Sequence, residues 1–231
     1  LLEEIRRMYP IRPQAEFTAE ANPGTLTEPW LEAAIAAGVN RLSLGMQAAQ
    51  QRLLQVLGRI HTPEQVVSAV RDARKAGFQR LSLDLIFGIP GQTLADWRQT
   101  LLEALSLGVE HISAYGLIPE EGTPLMASLR EGRLTLPEPE LEREMYSLTR
   151  DLLHQHGFEQ YEISNFALPG AAGRHNIGYW TQEPYLGLGL SAASMLDVRR
   201  TPEGLTYLRT RNPVTFEQYD RLVRHREWDL R

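Results

Sequence analysis

Apolar and polar residues alternate in three short runs of the chain. Phe17, Ala19 and Ala21 oppose Thr18, Glu20 and Asn22; Leu42, Leu44 and Met46 oppose Arg41, Ser43, Gly45 and Gln47; Leu81, Leu83, Leu85 and Phe87 oppose Ser82, Asp84 and Ile86. A period of two predicts strands with one face on a core. Elsewhere the period is helical. Trp30, Leu31, Ala34, Ile35 and Ala37 form one sheet-facing stripe of a helix that starts near Thr27 and ends before Gly38. Leu141, Met145, Leu148, Leu152 and Leu153 do the same for a helix from about Pro139 to His156. Four glycines punctuate the pattern: Gly38, Gly77, Gly108 and Gly157 follow helical segments and open GVNRLSL, GFQRLSL, GVEHISA and GFEQYEI. Glycine just past a helix takes the left-handed conformation that ends it. Thr62-Pro63-Glu64-Gln65 reads as a capping box, and Thr93-Leu94-Ala95-Asp96 as a weaker copy. Repeated helix–Gly–strand units without hairpin signals predict parallel strands joined by helical crossovers.

A parallel strand covered on both faces reads as a nearly continuous apolar run. These do not. The polar parity recurs in successive strands and sets Glu20, Gln47 and Asp84 near their carboxyl ends, where (β/α) barrels build their sites. Such an interior is wet or holds a ligand. The competing reading is a structural network in which Glu20 and Asp84 pair with arginines such as Arg41 or Arg59, although buried ion pairs are poor stabilisers.

Composition narrows the field. A formal charge of −5 over 231 residues, with basic residues grouped only in short pairs such as Arg6-Arg7 and Arg199-Arg200, argues against nucleic acid as a partner. No apolar run approaches a bilayer span and the start of the chain has no signal-peptide pattern, so a cytoplasmic location is expected. There is no cysteine, which excludes disulfides and any thiolate-held metal or iron–sulfur cluster supplied by this chain alone. Beyond Ala167 the periodicity dissolves into Pro/Gly-rich sequence; only Thr215-Phe216-Glu217-Gln218 announces a further helix.

Two segments carry candidate chemistry. Gly88-Ile89-Pro90-Gly91-Gln92-Thr93 follows the strand of Asp84; it lacks the lysine of a P-loop and reads first as a tight strand-to-helix turn. His175-Asn176-Ile177-Gly178-Tyr179-Trp180, read as a loop and followed by Tyr185, joins an imidazole to aromatic rings. Imidazole ligates haem iron and rings stack on porphyrin, but a histidine in a loop is more often a surface or hydrogen-bonding residue.

EANPGT at Glu20–Thr25, RLSLGMQ at Arg41–Gln47, LGRIHT at Leu57–Thr62, LDLIFGIPGQT at Leu83–Thr93, SAYGLIPEEGTP at Ser113–Pro124, YEISNFALPG at Tyr161–Gly170 and HNIGYW at His175–Trp180 stand in order along nearly the whole chain. Together they resemble the oxygen-independent coproporphyrinogen III oxidase-like radical S-adenosylmethionine (SAM) proteins, and HNIGYW resembles the haem-binding motif of the haem chaperone branch. The family's N-terminal CxxxCxxC motif and GGGTP loop have no counterpart, the sequence opening after both.

The resemblance implies an α/β fold: a partial parallel (β/α) barrel over residues 1–167, without its first strands, then the start of a C-terminal region over 168–231. It implies that Glu20, Gln47, Arg59, Asp84 and Gly116 line a SAM pocket. His175 is the implied haem-iron ligand, with Tyr179 and Trp180 as its wall. The cofactors implied are SAM, haem and a [4Fe–4S] cluster whose ligands this chain lacks, so no catalytic residue is assigned and the chain alone is not expected to catalyse a reaction. The implied function is a haem chaperone delivering haem to haem proteins, membrane-associated ones included. The alternative is oxidative decarboxylation of coproporphyrinogen III in porphyrin biosynthesis. Open edges near Phe17–Ala21 predict a homodimer. Where the family reads YLGLGPGAHS the chain reads YLGLGLSAAS, so Leu190, Ser191 and Ala193 replace proline, glycine and histidine.

Overall fold

The computed structural model describes residues 2–9, 11–201 and 204–225. The chain divides into two compact units, Leu1–Ala172 and Gly173–Arg231. The first holds α1 (Leu2–Met8), β1 (Thr18–Ala21), a 3-10 turn (Pro23–Thr25), α2 (Glu28–Ala36), β2 (Arg41–Gln47), α3 (Gln51–Val56), α4 (Pro63–Ala76), β3 (Leu81–Phe87) and α5 (Leu94–Ser106). It continues with β4 (His111–Gly116), α6 (Pro124–Arg130), α7 (Pro139–Gln155), β5 (Glu159–Gln160) and β6 (Asn165–Ala167). The strands form one sheet in the order β1-β2-β3-β4-β6-β5, in which β1 to β4 are mutually parallel.

The punctuation in the sequence does what its chemistry dictates. Gly38, Gly77, Gly108 and Gly157 all have φ between 65° and 112°, the left-handed region closed to most side chains. Both capping boxes form: Thr62 with Gln65, and Thr93 with Asp96. The leucines on the apolar parity of β2 and β3 are fully buried beneath α2, α4, α5 and α7. Trp97 of α5 is buried too; its indole Nε1 donates to Thr149 Oγ1 at 2.9 Å and to the Met145 carbonyl at 3.0 Å, fastening α5 to α7.

Two expectations need correction. Trp30 leaves the predicted stripe of α2: it is 39% exposed, while Leu31 and Ala34 carry the buried face. The fourth glycine does not open another parallel strand paired to its predecessor. GFEQYEI contributes only the two-residue β5, the chain bends back, and β6 inserts antiparallel between β5 and β4, pairing His111 with Ala167 and Ser113 with Asn165. With two residues in β5 there is too little strand to fill the place beside β4. β6 is therefore held there by Phe166, which is buried, and by ladder bonds.

The segment after β6 also ties back. Leu168 N donates to the Glu110 carbonyl at 2.9 Å, and the buried Arg41 donates to the Ala171 carbonyl at 3.0 Å and to Glu16 at 3.2 Å. The hydrogen bonds of Arg41 thus go to Glu16 and backbone, and it acts on Asp84 through its charge alone, holding the carboxyl's pKa down.

The second unit contains α8 (Arg174–Trp180), an antiparallel hairpin of β7 (Ala193–Thr201) and β8 (Gly204–Arg211), and α9 (Phe216–His225). The helix at Thr215 was legible from its cap, whose hydroxyl accepts from Gln218 N. The hairpin was not.

Candidate functional site

The polar face of the sheet is continuous across its strands. Glu20, Ser43, Ser82 and His111 pair in register across β1 to β4, Asp84, Ser113 and Asn165 across β3, β4 and β6, and Gln47 and Tyr115 stand towards the carboxyl ends of β2 and β4. Glu20, Gln47, Asp84 and Gly116 line one cavity of about 400 Å³, closed further by Ile86, Tyr115, Leu117 and Ile118. That volume lies in the range of small-molecule sites.

Asp84 is the deepest charged group of this cavity. Ser43 Oγ donates to its Oδ2 at 2.9 Å, and Ser113 hydrogen-bonds it from β4. Burial raises its pKa above the ordinary carboxylate value, Ser113 and Ser43 oppose that rise, and the nearby Glu20 adds to it. Two carboxylates facing one cavity favour a cationic ligand group. Neither serine was singled out from sequence, although both occupy the polar parity. Asn165 lies level with Ser113 on β6, and its buried Oδ1 has no hydrogen-bond partner. A Cβ at Gly116 would stand in ordinary van der Waals contact with the Phe87 ring, 3.4 Å away.

Gln47 reaches the cavity in an unusual way. The β2–β3 register shifts between Leu44 and Gln47, and Gln47 has φ 63°. Arg59 is not part of the lining; its Nη1 donates to Asn22 Oδ1 at 3.4 Å, just past the end of β1. The Gly88–Thr93 turn stays apart: Gln92 is buried and bonds Ile89 N and the Ile86 carbonyl, as a strand-to-helix turn requires.

HNIGYW is a helix, not a loop. It forms α8, so His175 and Tyr179, four residues apart, share one face, with ring centroids 4.6 Å apart at 76°. Tyr179 in turn meets Tyr185 edge-on at 4.8 Å. Trp180, five positions after His175, falls about 140° round the helix and leaves that face. Tyr185 takes the place given to Trp180 in the row of rings. The two aromatic residues of the motif are well exposed, Tyr179 at 47% and Trp180 at 59%. Among the described residues no group of three or more His, Cys, Asp or Glu side chains can hold a metal ion, and no helix is long and apolar enough to cross a membrane.

The segment after Tyr185 is fastened by side chains from later in the chain. Ser191 has φ 59°, so it takes the left-handed conformation that glycine favours. Asn212 Nδ2 donates to the Gly187 and Gly189 carbonyls at 3.1 and 2.8 Å, and Gly189 N donates to Tyr219 Oη at 2.9 Å. At Gly187 a Cβ would lie 2.1 Å from the Ala193 carbonyl oxygen, which excludes any other residue.

Comparison with known proteins places these features. Residues 1–104 match the radical SAM superfamily. "Heme chaperone HemW" of Bacillus subtilis (strain 168) is 43% identical over 202 residues, which cover 87% of this chain and 53% of that protein. The protein of the same name from Synechocystis is 42% identical, covering 87% and 48%. The mouse "Radical S-adenosyl methionine domain-containing protein 1, mitochondrial" is 41% identical, covering 83% and 43%. The chain spans about half the length of the curated relatives it matches. Among solved structures, the coproporphyrinogen III oxidase (HemN) of Escherichia coli superposes with a TM-score of 0.76 at 22% identity, over 96% of this chain and 52% of that one. This likeness speaks to the fold, a mainly parallel α/β sheet of the radical SAM type that is open here. By these matches the chain resembles the radical SAM superfamily over residues 1–104 and, over most of its length, proteins named heme chaperones.

Proposed function

We propose that the protein is a haem chaperone: it binds haem through His175 and hands it to haem proteins in the cytoplasm or at a membrane. The observation that carries this reading is identity of about two residues in five to proteins named heme chaperones over 87% of the chain, the HNIGYW helix included. An exposed imidazole backed by Tyr179 suits an axial iron ligand, and the rings of Tyr179 and Tyr185 offer an apolar wall to a porphyrin.

SAM is assigned to the cavity of Glu20, Gln47, Asp84 and Gly116, with Arg59 at its margin. The donor set fits the group: carboxylates for an ammonium or ribose hydroxyls, a guanidinium and an amide for a carboxylate, and a glycine for close approach. Bound there, SAM would supply a sulfonium and an adenosyl group. A [4Fe–4S] cluster does not fit this chain, which has no thiolate to offer.

Haemin added to the protein should give a Soret band whose position and affinity change in His175→Ala, with Tyr179→Ala weakening binding by a smaller factor. Equal spectra and equal affinity for His175→Ala and the parent would remove His175 as ligand. Release of carbon dioxide from coproporphyrinogen III by the complete, cluster-loaded protein would instead establish the oxidase alternative.

A further inference from the structure

We propose that Arg209 of β8 is a specificity-determining residue that grips the carboxylate edge of a tetrapyrrole held against α8, so that the protein selects a porphyrin bearing free acid arms and not just any iron-bearing ring. This rests on the haem reading of His175 and adds to it a residue from the hairpin of the second unit.

One face of the β7–β8 hairpin carries the rings of the α8 site. Tyr185 forms an antiparallel bridge with Met195: its N–H donates to the Met195 carbonyl and its carbonyl accepts from Met195 N, both at 2.9 Å. Met195 is in turn the register partner of Arg209. Residues directly opposite each other in antiparallel pairs project to the same face. Tyr185, Met195 and Arg209 therefore stand in one row across the ribbon, with Met195 in the middle at 2% exposure. At one end of the row the Tyr185 ring meets Tyr179 of α8, which meets the exposed His175. A second contact shows that β8 turns the same face to that helix. Tyr207, two residues before Arg209 and so on its side of the strand, donates through Oη to Gln182 Oε1, two residues past the end of α8.

The other end of the row is cationic. Arg209 is exposed, and among the described residues no hydrogen bond or ion pair engages its guanidinium. Arg211, the next residue on that face, instead donates from Nε to the Ser191 carbonyl at 3.3 Å. Two strand spacings, roughly 10 Å, separate Tyr185 from Arg209, a gap that a porphyrin ring with its propionate arms spans. A face that is aromatic at one end and cationic at the other complements haem, an apolar plate with two carboxylates along one edge. The imidazole takes the iron, Tyr179 and Tyr185 take the plate, and the guanidinium forks onto a propionate. That last contact fixes how the plate is turned about the iron–imidazole bond.

Titration with haemin and with haemin dimethyl ester, followed by Soret absorbance, isolates the acid arms from the rest of the ligand. The parent chain should prefer the free acid by about tenfold, as for hydrogen bonds to a charged group, and the preference should shrink as salt is added. Arg209→Ala should reduce it to within about twofold while the Soret position and the circular dichroism stay as in the parent, and Arg209→Lys should restore part of it. His175→Ala should do the reverse, moving the Soret band and keeping the preference for the free acid. Equal binding of both forms by the parent, or full preference retained in Arg209→Ala, overturns the role of Arg209 and leaves the haem reading intact. No binding of haemin by the parent overturns both.

Discussion

His111 shows how burial sets the charge of a single residue. It starts β4 at 3% exposure, with Ser82 Oγ 2.6 Å from Nδ1 and Tyr161 Oη 2.8 Å from Nε2. Desolvation, aided by the positive charge of Arg41, pulls its pKa from 6.5 to about 3. The folded chain therefore binds this proton more weakly than the unfolded chain. Stability from the neutral imidazole is complete above about pH 6.5 and is lost progressively as pH falls towards about 3. Urea unfolding between pH 4 and 7 should show that decline in the parent and a flatter limb in His111→Gln; parallel limbs would show that another group governs it. Glu20, Gln47 and Asp84 were legible in the sequence because alternation along a strand assigns them a common face. His61 and Tyr161 were not, since their partners, the Met46 carbonyl and His111, lie at no fixed spacing from them.

Elements with strong local signals were read correctly, and those decided by distant partners were not. The capped helices α4 and α5 follow from a hydroxyl and a side chain three residues on, and all four glycines adopt the expected left-handed φ. The β5–β6 hairpin has no Asn-Gly or Gly-Gly turn to announce it, and β5 alone is too short to carry a period. HNIGYW forms a helix with no side-chain cap, so nothing at its start marks it as one. The segment from Tyr185 to Ser194 is held by Asn212 and Tyr219 from later in the chain. It keeps a left-handed residue at Ser191 where the resembled family has glycine. Ser191→Gly should therefore stabilise the chain by about 1 kcal/mol, the cost of a left-handed L-residue, read as a higher urea midpoint at unchanged slope. A lower midpoint would mean that the serine side chain contributes more than the backbone strain removes.

For the whole molecule, the sheet order leaves β1 at an edge. Thr18 to Ala21 pair with β2 on one side only, and Phe17, Ala19 and Ala21 are only partly buried against the core. An unprotected parallel edge invites another chain. Light scattering of the 231-residue chain should show a mass that climbs above 26.2 kDa as concentration rises. A constant monomer mass at high concentration would show that the edge is adequately guarded. The parallel order β1-β2-β3-β4 could be foreseen from repeated helix–glycine–strand units; the insertion of β6 beside β4 could not, because it reverses direction without a local signal.

That insertion also bears on the time course of folding. β2, β3 and β4 each join a neighbour separated by a single crossover, whereas β6 must find β4 across α6, α7 and β5. Closing the longer loop costs more chain entropy before any contact repays it. Tyr161 and Asn165 arrive with this late-joining hairpin, so His111 and the inner polar layer acquire their final surroundings only after the parallel strands have assembled.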